Sequence, residues 1–236
     1  MYKKIFNILK IFYKNYSTKN FYYSFSGVDS IVEKIFKNQN NGFYIDVGCQ
    51  QPIKNNNTYL LYKKGWEGIN VDLDSGNIDT FNAARKYDHN VCAALSGEIS
   101  EKDLYFYHKK SPINTLVKEV SDFQKAKVTQ VVKVTTNTLN KIIENSPYAN
   151  EKFDFMSVDV EGHELDVLKG FDLDKYEPKI LVVEYLDLSI SQIEIKNLNI
   201  ENVLNSELYK YISSRGYVLS NCLYSDLVFI KNSFRD

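Results

Sequence analysis

The sequence is poor in the residues that break chains, bridge them or bind metals. Its 236 residues include 4 prolines, 10 glycines, 3 cysteines and 3 histidines. So little proline and glycine leaves no linker of the kind that separates domains. The cysteines, Cys49, Cys92 and Cys222, are odd in number and form no C-x-x-C pair. That excludes a disulfide framework or a zinc knuckle and fits reduced thiols in the cytosol. Neither sign of charge dominates: 29 Lys and Arg stand against 30 Asp and Glu. A general nucleic-acid binder would carry a basic excess, so no nucleic-acid partner is expected. No apolar run approaches the roughly 18–20 residues of a membrane span. No continuous apolar stretch with a small-residue cleavage site opens the chain, so a cytoplasmic location is expected.

What is present suffices for a sizeable core, since 44% of the residues are hydrophobic. Residues 1–24 stand apart as an extension. Ile5, Ile8, Leu9 and Phe12 recur at helical spacing, and Lys3, Lys4, Lys10 and Lys14 add charge. This predicts an amphipathic helix over 1–16. It docks on its own domain or on a second copy in a homo-oligomer, or makes peripheral contact with an anionic membrane. Residues 25–236 read as one α/β domain. Strands are expected at 43–47, 68–72, 89–95, 153–158 and 179–184. Helices are expected between them at 57–63, 78–87, 138–145 and 164–170. This alternation predicts a mostly parallel sheet with helices on both faces. Strands at 104–108 and 129–135 break the rhythm and predict an inserted antiparallel pair, with a long mobile loop over 109–127. A helix over 201–213 and a hairpin of 216–220 with 227–230 complete the chain.

In an open α/β sheet, ligands bind beyond the carboxyl ends of the strands. The first strand ends in Asp46-Val47-Gly48, and Gly48 allows a sharp turn and a close backbone approach. Asp72 ends the second strand 26 residues later, a fitting distance for a carboxylate that grips ribose hydroxyls. The full G-x-G-x-x-G cradle is missing. An acid in the first turn repels a pyrophosphate but suits the cationic amino-acid end of S-adenosylmethionine. That favours a methyltransferase over the alternatives, an NAD-dependent oxidoreductase or a non-catalytic Rossmann-like binding module.

Longer strings point the same way. They are Gly42-Phe43-Tyr44-Ile45-Asp46-Val47-Gly48, Asn57-Thr58-Tyr59-Leu60 and Lys64-Gly65-Trp66-Glu67-Gly68-Ile69-Asn70-Val71-Asp72. Further on come Ser157-Val158-Asp159-Val160-Glu161-Gly162-His163-Glu164, Val167-Leu168-Lys169-Gly170 and Leu181-Val182-Val183-Glu184. Together they resemble the FkbM-type methyltransferase family, roughly from Phe25 to Glu184. Asp-x-Glu-Gly-x-Glu is the most specific part. Ser26-Gly27-Val28-Asp29 stands where the family usually has a polar-Gly-acid-Asp stretch, with Val28 in the acid's place. The resemblance implies a Rossmann-like fold with a seven-stranded sheet and S-adenosylmethionine-dependent O-methylation. The acceptor would be a sugar, free or nucleotide-linked, as in surface polysaccharide biosynthesis. It also implies that Asp46 and Gly48 hold the methionine end and that Cys49 is a small wall residue. Asp72 would accept from the ribose, and Asn57 and Thr58 would meet the cofactor carboxylate.

A sugar hydroxyl is a poor nucleophile until its proton is removed or its oxygen is coordinated. Asp159 and Glu184 are expected at the ends of adjacent parallel strands, about 5 Å apart. Glu161, His163 and Glu164 follow at a turn. Such a cluster calls for a shared proton or a cation. A divalent metal on Asp159 and Glu184, completed by His163 or Glu161, meets that need: Mg²⁺ for oxygen ligands, Mn²⁺ or Fe²⁺ with the imidazole. General-base catalysis by His163 or a carboxylate is the other route. Glu164 on its own reads as an acid favoured at a helix start. Asn114 and Thr115 in the inserted loop, with Tyr185 and Asp187 past Glu184, are candidate acceptor contacts.

Overall fold

Short runs of β-branched and aromatic residues form ten strands in the computed structural model, which describes residues 22–190 and 199–235. The helix expected over 1–16 lies outside the described residues. In chain order the first six strands are β1 (Phe43–Val47), β2 (Glu67–Asp72), β3 (His89–Cys92), β4 (Ala94–Leu95), β5 (Glu101–Phe106) and β6 (Gln130–Asn137). The others are β7 (Phe155–Val158), β8 (Ile180–Glu184), β9 (Tyr217–Leu223) and β10 (Asp226–Lys231). The helices used below are α1 (Val28–Ile35), α2 (Tyr59–Lys63), α3 (Ser75–Ala84), α4 (Lys118–Phe123), α5 (Leu139–Glu144) and α6 (Glu164–Lys169). They continue with α7 (Leu173–Tyr176), α8 (Ile200–Asn205) and α9 (Glu207–Ser214).

The main sheet has seven strands in the order β3-β2-β1-β7-β8-β10-β9. The first five are parallel, and the β9–β10 hairpin adds an antiparallel edge through β10. Every residue of β7 and β8 is buried, as for central strands covered on both faces. The period-two alternation of β1 divides the core. Ile45 and Val47 pack in one cluster with Leu139 and Ile143 of α5, Val167 and Leu168 of α6 and Ile212 of α9. Tyr44 faces the other way, with Val28 and Val32 of α1, Leu61 of α2 and Trp66. The expected Rossmann-like architecture with an inserted antiparallel pair is present.

Three local expectations change. The strand expected over 89–95 is broken at Ala93. Its first part, β3, pairs with β2, and its second part, β4, joins β6 in a three-stranded sheet of order β4-β6-β5. The loop expected over 109–127 carries secondary structure of its own. It holds α4, which buries Val120 and Ser121, and Thr115 bridges to Tyr105. The single helix expected over 201–213 is two, because Ser206 is extended and its hydroxyl accepts from Tyr209 N to cap α9.

Candidate functional site

From β1 the chain moves to β2 and β3, then returns to β7 on the other side of β1. The switch point therefore lies between the carboxyl ends of β1 and β7, where ligand crevices form. Gly48 turns there with φ +75°, and its N–H donates to Val71 O at 2.8 Å. Asp159 N donates to Val47 O at 3.0 Å. A Cβ on Gly48 would stand 1.6 Å from the Asp159 carbonyl oxygen. The glycine thus lets the two strand ends meet.

Above this junction is a cleft of about 780 Å³, open mouth included. Asp72, Asn77 and Gln50 line one end, and Asp159, Glu161 and His163 the other. Leu73, Ala93 and Leu95 supply apolar wall between them. Asp72 accepts from Gln50 N at 2.9 Å, Asp74 N at 2.7 Å and Asn77 Nδ2 at 3.2 Å. Burial raises its pKa, and these three bonds oppose the rise. Asn77 was not singled out in the sequence, where it is one polar residue among several on α3.

Asp46 does not line this cleft. It is buried on the opposite face of β1, where it accepts from Asn56 Nδ2 at 2.9 Å and Thr58 Oγ1 at 2.8 Å. Burial raises its pKa, and the Arg85 charge with those two bonds counters it. Arg85 is fully buried and grips the loop that follows Gly48. Its Nε donates to Pro52 O at 2.8 Å, Nη1 to Thr58 Oγ1 at 2.6 Å and Nη2 to Asn56 Oδ1 at 2.5 Å. The side chain of Asn56, not that of Asn57 or Thr58, caps α2 by accepting from Thr58 N and Tyr59 N. Asn57 donates instead to Ser157 Oγ at 3.0 Å, and Cys49 packs on Ile78 and Phe81.

At the other end, Asp159 opens on the cleft and Glu184 lies buried behind it. One oxygen of each carboxyl lies within 4.8 Å of the other. Loss of water, then the charges of Asp226 and Glu164, push Asp159 up to about 7. Burial, then the Asp159 charge, pushes Glu184 well above the usual carboxylate range. Glu164 is not a surface acid at a helix start. It is buried and accepts from Val160 N and Gly162 N at 3.0 Å, which braces the turn where Glu161 and Gly162 take positive φ. Burial pushes it up to about 7, against the pull of those bonds. Asp226 of β10, also missed in the sequence, stands opposite Glu184 and accepts from Ser26 Oγ at 2.5 Å. His163 lines the cleft, but its ring is engaged elsewhere: Nε2 meets Ser96 Oγ at 3.1 Å and Nδ1 meets Asp166 at 3.5 Å. Burial lowers its pKa, so it is neutral at pH 7.

The inserted segment roofs the cleft. Lys110 N donates to Asp74 Oδ2 at 2.5 Å on the Asp72 side, and Thr115 Oγ1 donates to Glu161 O at 2.7 Å on the carboxylate side. Thr115 is wholly buried, and the Asn114 side chain is bonded to Tyr107 N and His108 O. Both side chains build the roof; Asn114 still reaches the cleft. Tyr185 and Asp187 lie away from it. The Tyr185 hydroxyl donates to Asn202 O at 3.3 Å, and Asp187 accepts from Ser189 Oγ and Asn202 Nδ2. They tie the end of β8 to α8.

This cleft geometry coincides with a family match over the same residues. Residues 46–219 match the model of the methyltransferase FkbM domain. Two solved structures are similar in outline. One is a TehB-like SAM-dependent methyltransferase from Corynebacterium glutamicum, 12% identical, with a TM-score of 0.43 over 95% of this chain and 96% of that one. The other is monomeric WbdD, 10% identical, with a TM-score of 0.40 over 87% of this chain and 40% of that one. No curated protein matches the sequence significantly. The family match spans about three quarters of the chain, from the Asp46 turn through the Asp159–Glu164 turn and Glu184, and the chain belongs to the FkbM family of S-adenosylmethionine-dependent methyltransferases.

Proposed function

We propose that the protein methylates a hydroxyl of a sugar, free or nucleotide-linked, with residues 25–236 carrying the activity and 1–24 appended. The observation that carries the reading is Asp159 at the cleft, at the switch point between β1 and β7, with the buried carboxyl of Glu184 close behind it. The cleft suits S-adenosylmethionine. Asp72 presents a carboxylate at the end of β2 for the ribose hydroxyls, and Leu73, Ala93 and Leu95 offer apolar wall for a base. When bound, the cofactor supplies an electrophilic methyl on a cationic sulfur. The acids at the Asp159 end favour that positive charge. The Gly48 turn leaves the crevice mouth open between β1 and β7. Asp46, held by Asn56, Thr58 and Arg85, fixes the loop that follows Gly48 and acts on the cofactor through it.

The acceptor's hydroxyl oxygen would take the methyl as the methyl–sulfur bond breaks, leaving S-adenosylhomocysteine, and its proton would pass to water. Asp159 is the carboxylate placed to orient that hydroxyl and to favour the loss of its proton. Ser111, Pro112, Asn114 and Leu116 of the roof line the cleft on that side. A sugar is supported by the family resemblance and by the polar groups at the rim, Ser111 and Asn114.

Thermal-shift measurement tests the cofactor: S-adenosylhomocysteine should raise the melting temperature and NAD should not. Incubation with S-adenosylmethionine and a panel of sugars and nucleotide sugars, read by mass spectrometry, tests the acceptor. Methylation of amines but not of hydroxyls in that panel would overturn the O-specific reading and leave the methyltransferase intact.

A further inference from the structure

Four carboxylates converge behind the cleft with no base among them. One oxygen from each of Asp159, Glu164 and Glu184 lies within 4.8 Å of the others. Asp226 is near enough for its charge to act on Asp159. Among the described residues, no Lys, Arg or His nitrogen lies within ion-pair distance of Asp159, Glu164, Glu184 or Asp226. A second observation points to a ligand. Glu184 is 8% exposed, yet its Oε2 has no hydrogen-bond partner. A buried carboxylate oxygen without a donor is costly, and more so beside other acids.

We infer that Asp159, Glu164 and Glu184 bind one divalent cation. Three oxygen donors with an open side suit Mg²⁺ or Mn²⁺, which keep several coordination places for water or substrate. The donor set differs from the one suggested by the sequence. Glu164 replaces His163, whose ring nitrogens face Ser96 and Asp166. The site's open side is the cleft, through Asp159. The existence of the site is independent of the acceptor. Its use rests on the reading above: the cation would hold the acceptor's hydroxyl oxygen and lower its pKa, with the proton passing to water.

The test uses the full chain stripped with EDTA and dialysed. Titration with Mn²⁺ is followed by electron paramagnetic resonance, without cofactor or acceptor. One saturable site per chain is expected, filled well below about 1 mM, and Mg²⁺ should compete for it. Glu184→Gln and Glu164→Gln should each weaken it at least tenfold, while His163→Ala should leave it in place. S-adenosylhomocysteine binding by each variant, read by calorimetry, shows that the fold and the cofactor site persist. Absence of saturable binding, or binding unchanged in Glu184→Gln, overturns the cation site. Loss of binding in His163→Ala with retained cofactor affinity overturns the assigned donor set. A cation site without any cofactor binding would count against the methyltransferase reading and not against this one.

Discussion

Thr115 donates its buried hydroxyl to the main-chain carbonyl of Glu161 at 2.7 Å. This bond helps fasten the roof of the cleft to the turn that carries Asp159, Glu161 and Glu164. Removing the hydroxyl costs that bond and the one it accepts from Val117 N at 3.0 Å, roughly 0.5–1.5 kcal/mol each. Thr115→Val keeps the shape and removes the donor. Methyl transfer should fall at least tenfold, and amide exchange should speed up over 107–117. Unchanged exchange there would mean that the roof is held by its other contacts.

Asp72 should hold the cofactor ribose. Asp72→Asn keeps the size, removes the charge and disturbs the bonds from Gln50 N and Asp74 N. The expected loss of S-adenosylhomocysteine affinity is about 1–3 kcal/mol, as for a charge-assisted hydrogen bond. Calorimetry reads it directly, and an unchanged affinity would remove Asp72 from the cofactor site.

The sheet was legible because its signals are local. The apolar runs at 153–158 and 179–184 mark central strands, and the turn after Asp46 marks a ligand end. Asp159 and Glu184 could be paired because adjacent parallel strands bring their ends together. Glu164 was underread because an acid at a helix start is usually solvated, and its burial depends on the positive-φ turn beneath it. Asp226 and Arg85 gave no local signal. Asp226 reaches Glu184 only through the antiparallel hairpin, and Arg85 reaches Asn56 and Thr58 across 29 and 27 residues of chain. The break at Ala93 is likewise a tertiary choice, made when β6 offers β4 a second sheet.

Gly48 should tolerate no side chain. Its positive φ alone costs a non-glycine residue about 1–3 kcal/mol, and the added Cβ would overlap the Asp159 carbonyl. Gly48→Ala should therefore lower the urea midpoint by more than the φ term explains. A variant as stable as the parent would mean that β1 and β7 can part at this point without cost.

Arg85→Met should destabilise the chain by about 3–5 kcal/mol, because Asp46 and Asp88 would remain buried without their cation. Arg85→Lys should recover only part of this, since an ammonium cannot reproduce the three-way grip on Pro52, Thr58 and Asn56. Equilibrium urea unfolding measures both. A loss under about 1 kcal/mol in Arg85→Met would show that Asn56 and Thr58 satisfy Asp46 alone.

The carboxylate cluster makes a signed prediction for stability against pH in metal-free protein. Asp159 and Glu164 are each pushed up to about 7 in the folded chain, by burial first. In the unfolded chain such groups titrate near 4. Between about pH 4 and pH 7 the folded chain thus holds more protons than the unfolded one, and stability falls as pH rises. Below that window both states are protonated and the penalty is absent; above it the penalty is complete. In EDTA, the melting temperature of the parent should drop from pH 5.5 to pH 8 by more than that of Asp159→Asn, which lacks one of the two charges and relieves the other. At pH 8 the variant should be the more stable protein, although it should be nearly inactive. Parallel melting curves for the two proteins across this range would show that the cluster is ionised throughout and that its charges are screened in solution.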